Sequence, residues 1–150
     1  MQQPLPIPPS LSSDQTALIE ASFARALHRK AVLAERVYVH LFALEPEARA
    51  LFPDDLAVQR AKIVRALATI VRSLASDAEL ARLAEGLARS HLRFDLGEQQ
   101  IRHMCMSILA AFEDCLGQGF TAEARAAWQA ALDRFVPMVV SAQNRLQAVG

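Results

Sequence analysis

The sequence predicts an all-α fold of six to eight helices. Three observations predict it: apolar residues recur at helical spacing through most of the chain, alanine and leucine outnumber β-branched residues, and no segment alternates like a strand. The 150 residues suffice for one domain with a sizeable core, and 53% of them are hydrophobic. Sixteen basic residues offset sixteen acidic ones. A neutral chain makes no long-range field, so neither nucleic acid nor an anionic membrane is expected as a partner. No apolar run approaches the roughly 20 residues of a bilayer span.

The first eleven residues, MQQPLPIPPSL, hold four prolines and no basic residue. They read as a flexible, proline-rich tail over 1–11 rather than a secretory signal, leaving one domain over 12–150. Ser12-Ser13-Asp14 offers an N-cap for the first helix, which is expected to bury Ile19, Phe23 and Leu27. The second runs from about Lys30 to Leu44, with Leu33, Val37, Leu41 and Leu44 on one stripe and Tyr38 beside it. Pro46 forces a new start, and a short turn carries Leu51, Phe52 and Pro53.

A third helix, about Asp55 to Leu74, holds Leu56, Ile63, Leu67, Ile70 and Leu74 on one side. Asp77 is expected to cap the helix that ends at His91. After Gly97, Glu98 to Leu116 places Ile101, Met104, Cys105, Ile108, Leu109 and Phe112 inward. Gly117-Gln118-Gly119 turns the chain and Thr121 caps the last helix, which buries Trp128, Ala131, Phe135 and Met138. Pro137 is expected to kink it. Cys105 and Cys115 lie about 15 Å apart along one helix, too far to bridge. Two unpaired thiols suit a reducing cytoplasm.

His91 is the informative residue. It follows Leu80, Leu83 and Leu87 on one helical face, so a titratable imidazole points where leucines point. A bare imidazole facing a core loses hydration unless both ring nitrogens find partners. Taken alone, such a histidine is more often a satisfied core residue than a ligand. Unequal helices around an inward histidine point to a non-bundle α fold with a pocket. His28, His40 and His103 read as surface or packing residues.

Four stretches tip that balance: residues 41–53 (LFALEPEARALFP), 61–67 (AKIVRAL), 87–91 (LARSH) and 116–128 (LGQGFTAEARAAW), in this order and at workable spacing. Together they resemble a bacterial single-domain globin, similar to the haem domain of flavohaemoglobins, over about residues 11–149. The resemblance implies a globin fold around a haem pocket, with haem b (iron protoporphyrin IX) as cofactor and His91 as the iron ligand. It places Phe52 flat on the porphyrin and lets the Ser90 hydroxyl accept the other ring N–H of His91. Gln59 holds the position often taken by a distal histidine, Tyr38 faces it, and Ile63 lies one turn beyond. Leu87, Leu96, Met104 and Ile108 would line the apolar wall.

Lys62 reads as a contact to a haem propionate, as a residue that reaches the iron itself in some redox state (an option open to Gln59 too), or as a solvated helix residue; Arg93 reads as a propionate contact or a solvated residue. The resemblance implies a cytoplasmic protein that reversibly binds O2, CO and NO at a five-coordinate ferrous iron, as in oxygen transport. Alternatives are an NO dioxygenase served by an external reductase, and a gas or redox sensor. In flavohaemoglobins a tyrosine and a glutamate surround the iron-binding histidine; the matching positions here are Ile101 and Ala142, which offer no side-chain hydrogen bond. That ranks ligand binding above dioxygenase chemistry. A haem-free helical interaction protein is disfavoured by the retention of His91, Phe52, Tyr38 and Gln59.

Overall fold

Side-chain caps set several of the helix boundaries. The computed structural model describes residues 8–94 and 96–149, apart from the side chains of residues 93 and 149. Six α-helices lie within them: α1 (Ser13–Leu27), α2 (Lys30–Leu44), α3 (Ala57–Ser73), α4 (Asp77–Ser90), α5 (Glu98–Leu116) and α6 (Ala122–Val149). Three 3-10 turns join them, at Pro46–Leu51, Leu92–Phe94 and Gly117–Gly119. No strand occurs among the described residues.

Ser12 and Gln15 form a reciprocal capping box at α1, with bonds of 2.8 and 3.1 Å. Thr121 Oγ1 accepts the Ala124 N–H at 3.1 Å, as its position before α6 predicts. At α4 the cap is Ser76 rather than Asp77: Ser76 is extended (φ −133°, ψ 110°) and its hydroxyl accepts from Glu79 N at 3.2 Å. Asp77 is the first helical residue and pairs instead with Arg134 at 2.9 Å. Helix α3 starts two residues later than expected, because Asp55 stays outside and its carboxylate accepts the Ala57 N–H at 2.9 Å. Gly117 ends α5 at φ +56°, a conformation that costs side-chain-bearing residues energy.

Helix α2 packs along α5, α4 along α6, and α1 on α6, while α3 touches α1, α2 and α4. The core centres on Trp128, which is fully buried, with Phe112 4.6 Å away and Phe23 6.3 Å away between ring centroids. Ile108 belongs to this core, at 4% exposure. Leu27 and Leu44, expected to be buried, are each 39% exposed. Both are the last residue of their helix, where the apolar stripe outruns the neighbour that would cover it. Pro137 lies inside α6, which continues through it. Arg134 is buried and its Nε donates to the Pro8 carbonyl at 3.0 Å, fixing the chain just before α1. Residues 1–7 of the expected tail lie outside the described residues. Among the described residues no helix is long and apolar enough to cross a membrane.

Candidate functional site

Two groups of side chains stand apart from the satisfied core. The first surrounds His91, which closes α4. Its backbone N–H still reaches Leu87 O at 3.1 Å, so the residue is held by the helix although it has left helical geometry (φ −110°, ψ 6°). The ring does the same thing: His91 Nδ1 lies 2.7 Å from the Leu87 carbonyl oxygen. A carbonyl can only accept, so Nδ1 is the donor, and in the neutral ring Nε2 is the nitrogen with the lone pair.

Ser90 completes this arrangement. Its hydroxyl donates to the same Leu87 carbonyl at 3.1 Å and presents a lone pair 3.1 Å from His91 Nδ1. The main-chain carbonyl is therefore the shorter contact to the ring, a partner that sequence reading assigned to Ser90 alone. The i, i−4 spacing of His91 and Leu87 is the signal that would have found it. Phe94, from the 3-10 turn, flanks the imidazole with its centroid 6.1 Å away.

The second group joins α2, the Pro46–Leu51 turn and α3. Tyr38 is buried, and Phe52 meets its ring edge-on at 5.6 Å between centroids. Phe42, which sequence reading left out, closes the set at 5.9 Å from Tyr38 and 5.4 Å from Phe52. The Tyr38 hydroxyl donates to the main-chain carbonyl of Gln59 at 3.1 Å. Burial pushes the Tyr38 phenol up to about 12, so it holds its proton at any physiological pH.

Gln59 itself supplies the clearest anomaly. Its side-chain Oε1 is buried and has no hydrogen-bond partner among the described residues, which costs about 1–3 kcal/mol in a closed structure. The apolar residues expected near it and near His91 share an intermediate burial: Ile63, Leu87 and Met104 pack on the core yet remain partly exposed, and Leu96 is also half-buried. Lys62 is exposed. The side chain of Arg93 lies outside the described set, as does the whole of Asp95.

Of the other histidines, His28 is exposed and two are engaged elsewhere. His103 Nδ1 pairs with Glu45 at 2.8 Å and His40 Nε2 with Asp114 at 2.7 Å. Arg36 reaches the same Asp114 carboxylate at 2.7 Å, and the two bonds hold that carboxyl below its ordinary range. Among the described residues no cluster of three or more His, Cys, Asp and Glu side chains forms a metal site.

A family model for globins matches residues 35–139. The chain belongs to the globin family. A solved bacterial globin from Campylobacter jejuni superposes on this globin with a TM-score of 0.80 at 14% sequence identity, over 91% of this chain and 99% of that one. No curated protein matches it. The all-α globin fold expected from sequence is thus the fold observed, and family membership implies haem binding and small gas ligands. The matched span includes Tyr38, Phe52, Gln59 and His91.

The residues present suit a haem. A porphyrin brings four of its own nitrogens to iron, so a single imidazole with a free lone pair suffices from the protein. The half-buried apolar side chains suit a flat hydrocarbon ring, and the orphaned Gln59 amide suits a polar group brought beside it.

Proposed function

We propose that this globin holds haem b through His91 Nε2 and reversibly binds O2, CO and NO on the side of Tyr38 and Gln59. The observation that carries this reading is the bond from His91 Nδ1 to Leu87 O, which fixes the ring and leaves the opposite nitrogen as a ligand. Haem, when bound, would supply the ferrous iron that takes up a diatomic gas, with Gln59 in the position from which a distal histidine would compete for it.

The protein's own groups do the rest. Leu87 and Ser90 are neutral partners for the ring, so they orient it without making it strongly electron-rich. This favours plain ligand binding. Phe52, Ile63, Leu87, Leu96 and Met104, all half-buried, together with the buried Ile108, would line the apolar wall and exclude water from the haem. Lys62 and Arg93 serve as candidate propionate contacts. Tyr38 holds its donor proton on Gln59 O and can swing it towards a gas by turning about the phenol C–O bond. The Gln59 amide presents Oε1 and, rotated by half a turn, presents Nε2 as a second donor. An external reductase keeps the iron ferrous, and the two free buried thiols suit the cytoplasm.

The test is spectroscopic and kinetic. Haem-loaded ferrous protein is expected to give one broad visible band that splits when O2 is added. A split band without added gas would contradict the open sixth position. Tyr38→Phe is expected to speed O2 release roughly 10- to 150-fold, the worth of one hydrogen bond to a partly charged acceptor. An unchanged release rate would remove Tyr38 as the donor.

A further inference from the structure

The turn that delivers Phe52 has no buried residue of its own, so hydrophobic burial does not hold it in place. Polar bonds do, and one side chain makes most of them. Arg49 Nη1 donates to the carbonyls of Phe52 at 3.3 Å and Pro53 at 3.0 Å, and Nη2 to that of Asp54 at 3.1 Å. The same guanidinium sits 5.4 Å from the centroid of the Phe42 ring, whose edge in turn meets Phe52. Arg49 also accepts Phe52 N–H on its own carbonyl at 3.2 Å.

Arg49 forms no ion pair among the described residues. A half-buried arginine whose charge meets only three carbonyls and a ring is organising backbone. The start of the turn is tied separately, by Glu45 to His103 on α5 at 2.8 Å. At the far end, where Phe52 stands, the polar bonds come from Arg49.

We propose that Arg49 is a positioning residue for the cofactor pocket: it fixes Phe52 against the haem, through the turn carbonyls and through the Phe42 ring that Phe52 packs on, and so sets how slowly the haem leaves. The inference rests on the haem site proposed above. A planar fork with several donors can span three carbonyls at once, which the single ammonium of lysine cannot. Arginine's effect on the cofactor runs through Phe52, without direct contact.

The experiment measures haem transfer from the loaded protein to an excess of a haem-free acceptor globin, for wild type, Arg49→Met, Arg49→Lys, Phe52→Ala and the Arg49→Met/Phe52→Ala double variant. Arg49→Met is expected to lose haem about tenfold faster, with Arg49→Lys in between. In the Phe52→Ala background the same substitution is expected to add little, because its route is already gone. In haem-free protein, amide exchange of residues 46–54 is expected to quicken in Arg49→Met while helicity stays constant.

Faster exchange in the turn with unchanged haem loss would make Arg49 merely structural and overturn the proposal. Fully additive effects of the two substitutions would overturn the route through Phe52. If Arg49→Met does not fold, Arg49→Lys carries the comparison: haem loss at the wild-type rate in that variant overturns the proposal. Failure of wild type to take up haem would instead overturn the site reading itself.

Discussion

Two aromatic clusters of this globin are built from similar residues and end in opposite states. Around Trp128, rings from α1, α5 and α6 are buried, and the one polar group among them is paired: Trp128 Nε1 donates to Ser22 Oγ at 2.8 Å. Around Tyr38, the rings of Phe42 and Phe52 are only half-buried, and the neighbouring Gln59 Oε1 is buried with no partner among the described residues. The first cluster is complete as it stands. The second keeps apolar surface and a polar atom in reserve, which is what a binding site needs and a core avoids.

If that contrast is right, substitutions in the two clusters should separate stability from cofactor binding. Trp128→Ala is expected to cost the haem-free protein about 3–5 kcal/mol in denaturant unfolding, because a fully buried ring leaves a cavity. Ser22→Ala strands the indole N–H and is expected to cost about 1–3 kcal/mol. Phe52→Ala should cost the haem-free fold no more than about 1 kcal/mol, while haem loss accelerates. Equal destabilisation by Phe52→Ala and Trp128→Ala would erase the distinction between the clusters.

Gln59→Leu should leave the haem-free fold unchanged or slightly more stable, since it removes an unsatisfied polar atom. A loss of about 2 kcal/mol would mean that the amide has a structural partner.

Tyr38 gives an effect that is invisible at neutral pH. It is the only tyrosine in the chain, so tyrosinate absorbance reports it alone. Its folded value, about 12, lies above the ordinary 10.0. Below pH 10 both folded and unfolded chains keep the proton, and the corresponding stability is fully present. It is then lost as pH rises through about 12. The haem-free protein should titrate near 12 when folded and near 10 in denaturant. A single midpoint near 10 in both states would place the phenol in water.

Helix positions were legible in sequence because their signals are local. Ser12 and Thr121 lie next to the amides they cap, and no distant contact is needed to read them. The choice between Ser76 and Asp77 was not legible, since both are good caps and the decision lies in which one takes extended backbone. Leu27 and Leu44 continue a correct stripe past the end of their packing partner. Ile63, Leu87 and Met104 look identical to core residues in a sequence, because periodicity reports direction and not depth. His91 stood out by its place on an apolar helical face, and Tyr38, Phe52 and Gln59 gained their roles through family resemblance. Arg49 could not, because its three acceptors are carbonyls brought together only by the shape of the turn.

The most direct test is a Soret titration of haem-free wild type and His91→Ala with haem, helicity being matched beforehand. Wild type is expected to saturate at one haem per chain with a sharp Soret band, and the alanine variant to lose that band or shift it. Added imidazole should then restore it in the variant. An unaltered Soret band and unaltered uptake in His91→Ala would contradict the assignment of this histidine as the iron ligand.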